Sequence, residues 1–209
     1  MENDIQLEQI TYSKKRKLLF ELKDLFAGVA FPFIISIVFS STVIMFASFD
    51  ADLAVQLVAL VGGEVLFTGA LVIFGRANGA AAYRKTVSHE RKRSLGSSDE
   101  RVAYGTGEYK LWKGALIGFM ITVPFILVQI IELIVPNVFC GFCLEYVFAW
   151  AYYPFSFLGK SYQALNFIMI ILPVGVHTLG YFLGKLKEIK VQEELASQEL
   201  ERKSKRKKK

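Results

Sequence analysis

The chain has 209 residues, 53% of them hydrophobic, with 18 Phe, 25 Lys and Arg against 19 Asp and Glu, and a formal net charge of +6. A mean hydropathy of +0.38 fits a polytopic membrane protein better than a water-soluble domain. The basic residues flank apolar runs, so orientation in a bilayer and attraction to anionic lipid account for them, and no nucleic acid partner is expected.

Residues 1–13 are polar. From Lys14 a helical pattern begins, with Leu18, Leu19, Leu22, Leu25 and Phe26 recurring among Lys17, Glu21, Lys23 and Asp24. This predicts an amphipathic helix at the inner interface, leading directly into the first apolar run, Leu25 to Ala47. That run is longer than a cleavable signal core and has no convincing small-residue cleavage site, so it reads as a retained anchor. Pro32 lies inside it, where neighbouring helices can satisfy the carbonyl that proline frees. The chain then turns through Ser48, Phe49, Asp50 and Asp52.

The second run, Leu53 to Phe74, contains Gly62, Gly63, Glu64 and Gly69, and small residues there let another helix approach closely. Helix formers such as Ala80 to Ala82 carry the helix beyond the membrane towards Arg93, with a break at Leu95-Gly96-Ser97-Ser98. Residues 96–109 read as a flexible linker, and Tyr109 to Lys113 as an interfacial anchor. The third run, Gly114 to Val135, opens with Gly114-x-x-x-Gly118; the fourth, Ala164 to Gly184, closes with Gly180-x-x-x-Gly184. These motifs suit packing against one another or against a second copy in a homodimer. Phe31-Pro32-Phe33-Ile34 and Val123-Pro124-Phe125-Ile126 form a weak internal repeat, of the kind that transporter folds carry and that chance also produces. Gln129 and Glu132 sit near the outer surface, facing an entrance or headgroups. Residues 185–209 continue as a basic helix and tail, with Phe182, Leu186, Ile189, Ala196 and Leu200 on a short heptad seam that Glu193 interrupts.

Sorting the basic residues by segment gives 5 before the first run, 9 between the second and third, 1 (Lys160) between the third and fourth, and 10 after the fourth. With four spans, 24 fall on one side and 1 on the other, which the positive-inside rule reads as both termini cytoplasmic. The expected fold is therefore an all-α, four-transmembrane-helix bundle of the cell membrane, N-in and C-in. Residues 1–24 form a cytoplasmic tail and interfacial helix, residues 25–184 the membrane domain, and residues 185–209 a cytoplasmic extension. The spans cover about 25–47, 53–74, 114–135 and 164–184, with a cytoplasmic loop at 75–113 and an outer loop at 136–163. Val138 to Leu158 in that outer loop holds nine aromatics. The apolar part, Leu144 to Leu158, is too short to span and would reverse the basic C-terminus if it did, which predicts an interfacial or re-entrant segment over the outer end.

Three groups carry candidate chemistry. Cys140-Gly141-Phe142-Cys143 spaces two thiols for a dithiol–disulfide cycle. In outline this resembles the four-helix membrane thiol oxidoreductases that pass electrons to quinone, which would imply a redox role for Cys140 and Cys143 with quinone as acceptor. Those enzymes carry a second cysteine pair, and this chain has no other cysteine. A structural disulfide or two buried thiols fit as well. No resident cofactor is expected, and no metal, because His89 falls on the cytoplasmic side and His177 within the fourth run, out of reach of the outer pair. Glu64, near the middle of the second run, and His177, in the fourth, are ionisable groups at a depth where such groups face a cavity, a partner, a neighbouring helix or a proton path. The expected function is non-enzymatic: a small transporter-like subunit, with Glu64 as coupling group and His177 a second candidate, or an accessory or scaffold protein of a larger membrane complex. Its expected partners are the bilayer, with anionic lipid at the cytoplasmic face, and a second copy or other subunits.

Overall fold

A computed structural model describes residues 2–47, 52–156 and 160–207. Among them the chain is all-helical, without strands. It comprises α1 (Glu2–Ala47), α2 (Leu53–Ser94), α3 (Glu100–Tyr104), α4 (Leu111–Ile134), α5 (Val138–Phe142), a π-helical turn (Cys143–Val147), α6 (Ala149–Ser156), a 3-10 stretch (Lys160–Ile170) and α7 (Ile171–Lys207). Three stretches, Ala54–Ser94, Leu111–Ile134 and Ala164–Lys203, are long and apolar enough to cross a membrane. The turn expected at Ser48, Phe49 and Asp50 lies outside the described residues, as do Lys208, Lys209 and the side chains of the first apolar run beyond Val38.

The apolar runs are helical because a helix satisfies every backbone N–H and C=O within one segment, the requirement hydrocarbon imposes. α2 outlasts its run and stops where Gly96 takes φ +72°. There the N–H groups of Gly96 and Ser97 bond back to the Arg93 and Lys92 carbonyls at 3.0 Å each, closing the helix end. Residues 96–109, which read as a flexible linker, instead form an ordered cap. Asp99 caps α3 by accepting from the Arg101 N–H at 3.0 Å, which holds its carboxyl below the usual range. Gly105 and Gly107 adopt left-handed backbone, Val102 is fully buried, and Arg93 donates to the Val102 carbonyl from two nitrogens. Glu108 receives both Arg93 and His89. The glycines serve turns that no other residue enters cheaply.

α7 packs most intimately against α2. A side-chain carbon added at Gly79 would overlap the Tyr181 carbonyl, and one at Gly184 the Arg76 carbonyl. At Gly75 and Gly180 it would lie 2.6 Å from the His177 and Val72 carbonyl oxygens. Gly114 and Gly118 of α4 likewise meet Tyr181 and the Pro173 carbonyl of α7 at 2.9 and 2.7 Å. Both glycine motifs named from the sequence are therefore filled within one chain, with Gly75 of α2 against Gly180, and Arg76 and Ala80 of α2 against Gly184.

The aromatic connection does not simply lie over the outer end. Val138–Val147 and Ala149–Phe155 form a pair bent by 96° that enters the bundle. Trp150 stacks on Phe67 at 4.6 Å and lies 5.6 Å from Phe125, which also meets Phe148 at 5.9 Å. Phe67 stands fourteen residues beyond Leu53, about 21 Å along α2 at about 1.5 Å per residue. Phe67, Leu71, Ile121, Phe125, Leu144 and Trp150 thus form one buried cluster.

The glycine contacts generate a contrast. Gly79→Ala is expected to cost about 3 kcal/mol or more of unfolding free energy in mixed micelles, because two backbones must separate. Gly62→Ala, where the added carbon meets nothing within 4 Å, should be neutral or stabilising by up to about 1 kcal/mol. Equal stability of the two variants would contradict the close approach.

Candidate functional site

Proline at position 32 of α1 has no N–H to offer the carbonyl four residues earlier, that of Gly28. Asn78 of α2 supplies the missing donor: its Nδ2 donates to the Gly28 oxygen at 3.2 Å. The same Nδ2 lies 3.4 Å from His177 Nε2, and His177 Nδ1 lies 2.9 Å from the Gly114 carbonyl. A carbonyl only accepts, so Nδ1 carries the proton and Nε2 accepts from Asn78. Gly28, Asn78, His177 and Gly114 come from α1, α2, α7 and α4, so one relay joins all four long helices. His177 is fully buried. Asn78 was not singled out in the sequence, because it follows the end of the second apolar run; the signal available was a polar amide at helical spacing from Gly75.

Glu64 belongs to a different place. It precedes Asn78 by fourteen residues of α2, again about 21 Å of helix, so Glu64 and His177 are not brought together. Glu64 lines a groove of about 650 Å³ with Leu60, Thr68, Val72, Pro154 and Met169, beside the exposed Val61 and Val65. Its Oε2 is buried and makes no hydrogen bond among the described residues. Gly69 lines the same groove, and both it and Gly62 have open space where a side chain would be, whereas Gly63 is buried.

Cys140 and Cys143 are both free thiols; Cys140 is buried and its sulfur receives the Asn137 side-chain amide at 3.2 Å. Gln129, expected near headgroups or an entrance, is fully buried and accepts from Asn166 at 3.3 Å. Glu132 turns back to accept the Asn137 N–H at 3.1 Å. Among the described residues no three His, Cys, Asp or Glu side chains gather as a metal site. His89 is committed to Glu108 at 3.1 Å.

Comparison with protein-family models, with curated proteins and with solved structures gives no match. The described residues form an all-helical protein with helices fit for a membrane, joined by an interhelical polar relay and with the Glu64 carboxyl lining a groove on α2.

Removing the amide tests the relay. Asn78→Leu leaves the Gly28 carbonyl and His177 Nε2 unpaired and should destabilise the protein by about 1–3 kcal/mol in detergent unfolding. Adding Pro32→Ala to that variant restores an intrahelical donor to Gly28 and should recover part of the loss. A Pro32→Ala change equally stabilising in the presence and absence of Asn78 would refute the coupling.

Proposed function

We propose that this is a multi-pass protein of the cell membrane with four spans and both termini cytoplasmic. It acts without catalysis as an accessory subunit that docks a helix of a partner membrane protein against the Glu64 face of α2. The orientation rests on 24 basic residues against 1, and the same basic flanks suit anionic lipid at the cytoplasmic face. The bent aromatic pair is read as re-entrant, because a fifth crossing would reverse the basic C-terminus.

One observation carries the docking reading: a carboxyl with a buried oxygen that has no partner among the described residues, in a groove that widens into a notch at Gly69, where an added side chain would meet nothing. An acyl chain fills such a notch but offers no donor, and an unsatisfied polar group in hydrocarbon is costly. A helix carrying Asn, Gln, Lys or Arg at that depth fills the notch and supplies the donor. The transporter-like form of the reading draws on Glu64 but finds less support inside the bundle. Phe67, Leu71, Ile121 and Phe125, all 0–1% exposed, fill the space between α2 and α4, and the Glu64 groove has mainly apolar walls. A quinone-linked role for Cys140 and Cys143 has only one thiol pair to work with, half of it buried.

Two measurements test this. A photo-crosslinker at Val61 or Val65 in native membranes should capture a peptide with a hydrogen-bond donor at matching depth. Capture should fall at least fivefold on Glu64→Leu, on Gly69→Leu, or on replacing that donor by Leu. In proteoliposomes the purified protein should pass no protons above the lipid background. Proton flux that vanishes in Glu64→Gln would establish the transporter reading instead, and crosslinks solely between copies of this chain would replace the partner with a homodimer.

A further inference from the structure

A second cleft, of about 200 Å³, lies where the four long helices meet the ordered cap. Its charged lining is balanced: Glu21 and Asp24 from α1, Lys85 from α2 and Lys113 from α4. Lys85 pairs with Asp24 at 3.3 Å and Lys113 with Glu21 at 2.7 Å. Gly107 of the cap roofs this set so closely that a side-chain carbon there would lie 2.6 Å from Asp24 Oδ2. Leu25 and Ile117 add apolar wall, and the exposed Leu22, Phe26 and Trp112 stand on the same two helices, α1 and α4. Apolar, aromatic and basic side chains at one level mark a membrane interface.

The set is incomplete without a guest. Lys113 is 5% exposed, and an ammonium has three donors to place. It faces the Trp112 ring at 5.9 Å and pairs with Glu21 Oε2 as an ion pair without hydrogen-bond alignment, so Lys113 Nζ and Glu21 Oε2 are both buried with no hydrogen-bond partner among the described residues. The volume equals that of roughly seven waters at about 30 Å³ each, ample for a small headgroup. An anion alone would meet two carboxylates, and a cation alone two ammonium groups. A group carrying both charges meets complementary partners: phosphate oxygens accept from Lys113 and Lys85, and a primary ammonium donates to Glu21 and Asp24. A quaternary ammonium has no N–H to donate.

We propose that this cleft binds the phosphate–primary ammonium zwitterion of a phosphatidylethanolamine headgroup, with its acyl chains running down past Leu25 and Ile117. The site is independent of the Glu64 face. The experiment uses the full-length protein, delipidated in detergent and titrated with phosphatidylethanolamine, phosphatidylcholine or phosphatidylglycerol, and bound lipid is counted by native mass spectrometry. Phosphatidylethanolamine should bind at least tenfold more tightly than the other two, since each charge-assisted hydrogen bond is worth about a factor of ten or more. Asp24→Asn should erase that preference, and Lys85→Gln, which meets the phosphate that all three lipids share, should weaken all three alike. Ala81→Leu, which fills the cleft from an exposed position and removes none of the four charges, should abolish the preference while thermal unfolding in detergent stays unchanged. Equal affinity for the three lipids, or a preference that survives Ala81→Leu, would overturn the proposal. Displacement of bound lipid by millimolar free phosphoethanolamine, with no requirement for acyl chains, would assign the same chemistry to a soluble zwitterion and overturn the lipid assignment.

Discussion

The hydrogen-bonded relay from the Gly28 carbonyl through Asn78 and His177 to the Gly114 carbonyl is the constraint on which the rest of the bundle depends. Between apolar helices in lipid there is no hydrophobic force of the kind that drives a soluble core, because the acyl chains are as apolar as leucine. What remains is van der Waals contact and the obligation to satisfy polar groups. Pro32 creates such an obligation by releasing Gly28, and Asn78 meets it at 3.2 Å. The reach is short, so the backbones must come close. They do so because Gly75, Gly79, Gly180 and Gly184 take side chains out of the α2–α7 contact and Gly114 and Gly118 out of the α4–α7 contact. Glycine packing alone tolerates sliding along the helix axis; one amide between two fixed acceptors does not. The relay therefore sets the register, and the glycines allow it.

The sequence discloses those parts of this arrangement that are local. Apolar runs reveal helices because length and composition suffice, and three such stretches stand as expected. Pro32 and the motifs at Gly114 and Gly180 are visible because each is a pattern along one helix. What a neighbour supplies is invisible. Gly75, Gly79 and Asn78 follow the last residue of an apolar run and read as the start of a solvated extension, although Tyr181 of another helix lies against Gly79. Gln129 reads as a headgroup-facing residue because its partner, Asn166, is thirty-seven positions away. The aromatics from Phe139 to Phe155 have the composition of an interface, yet Phe148 and Trp150 are core. Nothing in composition distinguishes an aromatic that meets lipid from one that meets Phe67. The three glycines of residues 96–109 signal unusual backbone, which is equally the mark of a mobile loop and of a tightly turned one.

The glycines divide into two populations, and the division carries more meaning than their number. Those at the relay are filled by a neighbouring helix, through its backbone or a side chain. Gly62 and Gly69 are not, and Gly69 shares the groove of Glu64. Exposed Val58, Val61 and Val65 on the same helix carry little information, since in lipid an apolar side chain needs no cover. A carboxyl oxygen buried without a donor is different, because hydrocarbon imposes a cost on it that water would not. The lateral face of α2 is thus marked by a polar need; inside the bundle His177 is satisfied, while the buried Gln129–Asn166 pair keeps Gln129 Nε2 and Asn166 Oδ1 without partners among the described residues.

At the basic end the ion pairs join different elements: Arg16 to Glu100 links α1 to α3, Lys85 to Asp24 links α2 to α1, and Lys113 to Glu21 links α4 to α1. Exposed pairs of this kind contribute little individually. The Lys113–Glu21 pair is more buried, and removing either partner would leave a charge stranded. Asn78 lines the cleft that these charges surround and is also the donor to Gly28. Occupancy of the cleft and packing of the four long helices therefore share a residue. A ligand held there by the folded protein alone stabilises the fold by RT ln(1 + [L]/Kd), about 2.7 kcal/mol at a hundredfold excess over Kd. That is the scale of losing one relay hydrogen bond, so the state of the cleft and the integrity of the relay act on helix packing with comparable weight.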